Sequence, residues 1–240
     1  SQINCSDFSS MLDNLKRLSK STGNGGNGGT GSSGKKGGSG ISRSDNAVAP
    51  IKNVTPEIVY PFDDIKGLDW ARDDILKMYN EGIVNGTGDN MFEPKRAVTR
   101  EEFTKMIVLA LYNSEFDFKD EKSYRDVELG QWYSPYIFFG KQNNLINGVG
   151  DNRFGIGEYI SREDSVVILA RAVKAEKTKD EKYFSDFDNI SDYAKDSVQA
   201  LYEMGIIVGD DLGAFNPKKS LSRAEAAVMI CRTTGGHTNE

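Results

Sequence analysis

Thr99-Arg100-Glu101-Glu102, Ser161-Arg162-Glu163-Asp164 and Ser222-Arg223-Ala224-Glu225 are one tetrapeptide pattern written three times, and the residues around each copy repeat with it. The first is preceded by Phe62-Asp63-Asp64-Ile65, Trp70-Ala71, Ile75, Gly82-Ile83-Val84-Asn85-Gly86, Phe92 and Pro94. The second follows Tyr124-Arg125-Asp126-Val127, Trp132-Tyr133, Ile137, Asn144-Leu145-Ile146-Asn147-Gly148 and Phe154. The third follows Phe184-Ser185-Asp186-Phe187, Tyr193-Ala194, Val198, Gly205-Ile206-Ile207-Val208-Gly209, Phe215 and Pro217. Three copies in register define an internal repeat over residues 61–116, 123–178 and 183–235, and a unit this small buries its apolar face only against its copies.

Each unit parses as helix, loop, helix. In the first, Trp70, Ile75, Met78 and Tyr79 are spaced for one buried face. Gly82 and Gly205 stand where a helix end needs a left-handed residue, and Asn144 fills the slot in the middle copy. A glycine-bearing loop follows, Asn85-Gly86-Thr87-Gly88-Asp89-Asn90 in the first unit and Asn147-Gly148-Val149-Gly150-Asp151-Asn152 in the second. The second helix opens on a capping box: Thr99 with Glu102, Ser161 with Asp164, Ser222 with Glu225. Asp164 is a shorter substitute for the usual Glu or Gln. Phe103, Met106, Ile107 and Ala110 mark one face of that helix in the first copy.

The cap and the acid explain themselves structurally. Arg100, Arg162 and Arg223 do not, because they sit at the first helical position, where the macrodipole disfavours a cation. Three such placements point to an anion brought to free N–H groups, the dipole and a guanidinium fork. The alternative is an arginine paired with a nearby carboxylate, Asp64, Asp126 or Asp186. Trp70 and Trp132 either pack as core, the usual fate of tryptophan at helical spacing, or offer a flat face to a sugar ring beside the arginine. Gly86, Gly88, Gly148, Gly150 and Gly209 are turn residues or points where a ligand approaches the backbone. Tyr193 stands where the third copy would have a tryptophan, so a third site would be altered.

The recurring Phe-x-Asp, Trp-Ala, Gly-Ile-x-x-Gly, Phe-x-Pro and Thr-Arg-Ala-Glu elements resemble the S-layer homology (SLH) motif, and three copies resemble a complete SLH domain over about residues 61–235. The resemblance implies an all-α fold of three helix-loop-helix repeats arranged with pseudo-threefold symmetry around a central helical bundle, monomeric with an internal pseudo-trimer. It also implies non-covalent anchoring of a secreted surface protein to a Gram-positive cell wall. The partner would be secondary cell wall polysaccharide, a peptidoglycan-linked wall glycan, bound through pyruvylated N-acetylmannosamine in grooves between repeats. Arg100, Arg162, Arg223, Trp70, Trp132 and the loop glycines would form the sites. The middle copy departs most, with Gly155 and Ile156 where the first has Glu93 and Pro94, although Trp132, Gly148 and Arg162 remain.

Composition narrows the alternatives. The only histidine is His237, which argues against paired-histidine zinc sites and histidine-based triads. Asp89-Asn90-Met91-Phe92-Glu93 lacks the alternating oxygen ligands of an EF-hand, so neither metal nor cofactor is expected. Glu101 and Glu102 are adjacent on one helical turn and would not flank a scissile glycosidic bond, so no enzyme is expected. No apolar run is long enough to span a membrane. Of the net charge of −6, residues 1–50 contribute +3, from six Lys and Arg against three Asp, which leaves −9 for the rest and argues against nucleic acid. The competing function is a helical protein–protein scaffold whose arginines merely pair with carboxylates.

Of 25 glycines, 10 lie between Gly23 and Gly40, a composition expected of a flexible spacer over residues 23–60. Before it, residues 1–22 hold a short amphipathic helix over 6–21, read as the stub of an upstream domain or a segment that docks back. The chain starts at serine without a signal-peptide pattern, as expected of a mature form or an excised fragment. Cys5 and Cys231 are read as two separate thiols, with a bridge as the alternative.

Overall fold

Val98, Ile160 and Leu221, the apolar residues one before each helix cap, close a ring of backbone hydrogen bonds that joins the three repeats. The Val98 N–H donates to the Leu221 carbonyl (2.9 Å), Leu221 to Ile160 (3.0 Å) and Ile160 to Val98 (3.0 Å). All three side chains are fully buried. Each short segment is extended and offers one donor and one acceptor, so three of them satisfy one another without any sheet. Among the described residues the extended pairing consists of isolated bridges, including Ala97 with Ser222, Thr99 with Tyr159 and Ser161 with Ser220. The structure is a computed structural model that describes residues 60–235 except 114, 178 and 180. The helix expected over 6–21, the spacer up to residue 59 and Cys5 lie outside the described residues.

Among the described residues six α-helices follow in chain order: α1 (Arg72–Asn80), α2 (Arg100–Tyr112), α3 (Ser134–Gln142), α4 (Arg162–Val173), α5 (Asp192–Glu203) and α6 (Arg223–Thr233). Single 3-10 turns occupy Asp63–Ile65 and Phe187–Asn189. The all-α expectation holds. The second helices of the repeats, α2, α4 and α6, pack on one another and form the inner bundle. The first helices lie outside and pack on the second helix of the preceding repeat: α3 on α2, α5 on α4, and α1 on α6. The repeats are therefore interleaved, and repeat 1 leans on repeat 3.

The local signals act as physical chemistry requires. Gly82, Asn144 and Gly205 adopt positive φ (72°, 55° and 71°) and stop α1, α3 and α5. Thr99 with Glu102 and Ser222 with Glu225 form complete capping boxes, while Ser161 accepts from the Asp164 N–H without the return bond. In each loop an aspartate gathers backbone donors: Asp64 takes the N–H groups of Phe92 and Glu93, Asp126 those of Phe154, Gly155 and Ile156, and Asp186 those of Phe215 and Asn216. These contacts pin the fully buried Phe92, Phe154 and Phe215 into the core. Gly148 is dictated by a close approach, since a Cβ there would collide with the Arg153 carbonyl oxygen.

The buried face expected of Trp70, Ile75, Met78 and Tyr79 needs correction. Ile75 and Met78 are buried, but Trp70 is 55% exposed and Tyr79 is 38% exposed. Trp70 and Trp132 precede α1 and α3, which start at Arg72 and Ser134, so the helical face does not include them. Cys231 is fully buried, and burial first, then hydrogen bonding to Asp74, pushes its thiol up to about 12. It acts as a small core residue.

Because the central ring links all three repeats, Ile160→Ala is expected to lower the unfolding free energy of the whole module by about 3 kcal/mol. Urea denaturation would read this as a shifted midpoint at unchanged slope, with far-UV circular dichroism and aromatic fluorescence moving together. Separate transitions for separate repeats would contradict it.

Candidate functional site

The guanidinium of each helix-opening arginine leaves its own repeat. Arg100 donates from Nε to the Phe154 carbonyl (3.0 Å) and from Nη2 to the Asn147 carbonyl (3.0 Å). Arg223 does the same to Phe92 (2.9 Å) and Asn85 (2.8 Å). Arg162 donates from Nη2 to Val208 (2.9 Å). Each also lies over the phenylalanine of the loop it grips: Arg100 over Phe154, Arg162 over Phe215 and Arg223 over Phe92, at 5.2, 5.2 and 4.5 Å. Repeat 1 thus holds the loop of repeat 2, repeat 2 that of repeat 3, and repeat 3 that of repeat 1.

This geometry overturns two sequence expectations. The first-turn N–H groups are not free, because those of Arg100, Arg162 and Arg223 donate to the carbonyls of Glu158, Lys219 and Arg96. Those of Glu163 and Ala224 donate to Pro217 and Pro94, and the cap hydroxyls take the next donor. Nor do the arginines pair with Asp64, Asp126 or Asp186, which are engaged with loop N–H groups. The carboxylates they approach belong to the following repeat: Asp164 lies 3.8 Å from Arg100 and Glu225 lies 3.6 Å from Arg162. Burial lowers the pKa of Arg162 and Arg223 from the ordinary arginine value; at Arg162 the charge of Glu225 opposes this.

Three grooves result, each assembled from all three repeats. One joins Arg223 of repeat 3 to Asn85, Gly86, Thr87, Glu102 and Lys105 of repeat 1 and Trp132 of repeat 2. The second joins Arg100 to Asn147, Gly148, Val149, Asp164 and Arg171, with Tyr193 as its aromatic wall. The third joins Arg162 to Val208, Gly209, Asp210, Glu225 and Arg232, with Trp70. The sequence reading grouped Trp132, Gly148 and Arg162 as one site. The structure separates them, because each arginine reaches forward one repeat. It also puts Gly88 and Gly150 outside the groove linings, at φ of 126° and 110° in the tight loop turns. Gly86, Gly148 and Gly209 do line grooves.

Trp132 and Trp70 are about half exposed and face the grooves, which decides against the core alternative for both. Lys105 Nζ lies 5.5 Å from the Trp132 ring centre. Lys105, Arg171 and Arg232 were not singled out by sequence because they occupy different turns of their helices, Lys105 five residues and the others nine residues after the arginine. Arg96 binds Glu102 through two hydrogen bonds (2.6 and 3.2 Å), and Lys219 binds Glu225 at 3.1 Å. Burial alone would raise the Glu102 pKa, but the Arg96 and Thr99 hydrogen bonds bring it below the ordinary value of 4.5. At Glu225 the Ser222 and Lys219 hydrogen bonds likewise overcome burial. Each groove therefore offers a cationic wall, an aromatic face and a backbone loop, features suited to a monosaccharide carrying an anionic group.

Two outcomes follow. Arg223→Ala leaves the Phe92 and Asn85 carbonyls without their charged donor and is expected to lower stability by about 3 kcal/mol in urea denaturation. Arg223→Lys would recover only part, since an ammonium does not reproduce the fork. With the Glu102 and Glu225 values lowered on folding, their contribution is complete above about pH 5 and is lost as pH falls below 4.5 through the lowered values. Thermal melts should be flat above that range and decline below it, less so in Glu102→Gln.

The family model for the S-layer homology domain matches residues 61–104, 123–164 and 183–227, more than half of the chain. The chain belongs to the S-layer homology family. It is 36% identical over 174 residues to an amylopullulanase of Thermoanaerobacterium thermosulfurigenes, a match covering 70% of this chain and 9% of that protein. Exoglucanase XynX of Acetivibrio thermocellus is 37% identical over 174 residues, covering 70% of this chain and 16% of that protein. The S-layer protein sap of Bacillus anthracis is 31% identical over 175 residues, covering 72% and 21%. The chain thus spans roughly a tenth to a fifth of the length of these curated relatives. Family membership and the S-layer relatives place it at the cell surface, in the wall. Among the described residues no helix is long and apolar enough to cross a membrane.

Proposed function

We propose that residues 61–235 anchor the protein that carries them to the Gram-positive cell wall without a covalent bond, by holding secondary cell wall polysaccharide in the grooves between repeats. The glycan group recognised is pyruvylated N-acetylmannosamine, whose ketal-linked pyruvate supplies a carboxylate beside a sugar ring. The observation that carries this reading is the pairing of an exposed indole with groove cations: Trp132 with Lys105 and Arg223, Trp70 with Arg162 and Arg232. A flat aromatic face suits a sugar ring, and the cations offer local attraction within a part of the chain that is negative as a whole.

Catalysis has no place in this reading. Glu101 accepts from the Gly157 N–H, and Glu102 is engaged in the cap and with Arg96. The same engagement of the three arginines keeps a second reading in view, a scaffold for protein partners, since arginines bonded to carbonyls need no ligand.

The two readings separate on the indoles, which contribute little to the core. Trp70→Ala with Trp132→Ala is expected to leave the circular dichroism spectrum unchanged and to weaken retention on purified pyruvylated wall polysaccharide by about tenfold to a hundredfold. Depyruvylated polysaccharide should be retained comparably poorly by the unsubstituted chain. Undiminished retention of the double variant would refute the groove assignment, and no retention of the unsubstituted chain would favour the scaffold.

A further inference from the structure

The three grooves are built alike, but the one built on Arg100 differs in its aromatic wall, in the residue three before its helix cap and in its loop side chain. We infer that Tyr193 fixes an acidic pair beside Arg100, so that the groove built on Arg100 refuses an anionic group and the module takes two charged sugars, in the grooves built on Arg223 and Arg162. The inference rests on the wall-glycan reading above and names which of its sites are open.

The Tyr193 latch on this acidic pair is a cross-repeat contact. The Tyr193 hydroxyl donates to Asp164 Oδ1 at 2.8 Å and approaches Glu163 Oε1 at 3.2 Å, bridging repeat 3 to the helix of repeat 2 that walls the groove. Glu163 is itself held by the Ser191 N–H, the Ser191 hydroxyl and Lys218, so the tyrosine is fastened to an ordered carboxylate pair. Trp132 and Trp70, in the corresponding walls, carry no hydroxyl with which to do this.

The charges around the latch differ in the same sense. Arg96 draws Glu102 to itself in the groove built on Arg223, and Lys219 holds Glu225 in the groove built on Arg162. The equivalent position in the middle repeat is Glu158, an acid, which turns to Arg153 at 3.0 Å. Asp164 therefore lacks that neighbouring cation, and its second oxygen faces Arg100 Nη1 at 3.8 Å. Glu225 likewise lies 3.6 Å from Arg162, but there Lys219 shares the carboxylate; at Arg100 no such cation relieves Asp164, and Tyr193 holds it in place against an incoming carboxylate. The loop residue at this groove is also apolar, Val149, where the others present Thr87 and Asp210.

Titration calorimetry of the full chain with a pyruvylated N-acetylmannosamine glycoside tests this by counting sites. The expected result is two ligands per chain, falling to one in Trp132→Ala or in Trp70→Ala. Tyr193→Phe keeps the ring, removes the hydroxyl and should raise the count to three. Tyr193→Trp, which restores the residue of the other two walls, should do the same, and serves if Tyr193→Phe melts early. Three ligands on the unsubstituted chain, or a count unchanged in a folded latch variant, would overturn the latch and leave the glycan reading standing. No binding by the unsubstituted chain would overturn the glycan reading itself and the latch with it.

Discussion

The ring of backbone hydrogen bonds among Val98, Ile160 and Leu221 is the constraint on which the remaining architecture depends. Each of these residues has one donor and one acceptor in a dry centre, and leaving either unpaired would carry a desolvation penalty of about 1–3 kcal/mol. Three short segments meeting head to tail satisfy all six groups. That arrangement fixes where each second helix begins, because the cap follows its ring residue directly. Once α2, α4 and α6 start at one hub, their apolar faces converge into a bundle and the first helices are left to pack on the outside.

The arginines extend the same logic outward. A guanidinium at the start of a helix is unfavourable against the helix dipole, and here it is compensated by carbonyl oxygens and a phenylalanine face supplied by the next repeat. The residue that marks the repeat in sequence is thus chiefly a strut between repeats. It holds the loop that forms the groove floor and contributes its remaining edge to the wall. The groove is a by-product of the clamp, completed by an aromatic from the third partner.

Much of this was legible in the sequence. Gly82, Asn144 and Gly205 announced helix ends because a left-handed residue is a local requirement, and the cap pairs did so because their partners lie three residues away. The box expected of Ser161 with Asp164 forms only by half, because the shorter acid does not return a bond to the cap N–H. Nothing local announced that Arg223 meets Asn85 across 138 residues, so the arginine was credited with free N–H groups that the neighbouring repeat already occupies. Trp70 and Trp132 misled for a related reason. Helical spacing suggests a buried face, but both precede their helices and are turned outward, a position that periodicity does not encode.

The interleaving of first and third repeats also bears on how the chain acquires its structure. The contacts that close the molecule, Val98 with Leu221 and Arg223 with Asn85 and Phe92, join residues more than a hundred positions apart. Loop closure over such separations slows folding, because chain entropy is lost before the distant contacts repay it. A chain emerging from its N-terminal end holds two repeats with an open hub until Leu221 arrives. Closure of the hub therefore waits on the last repeat, and the three grooves are completed together.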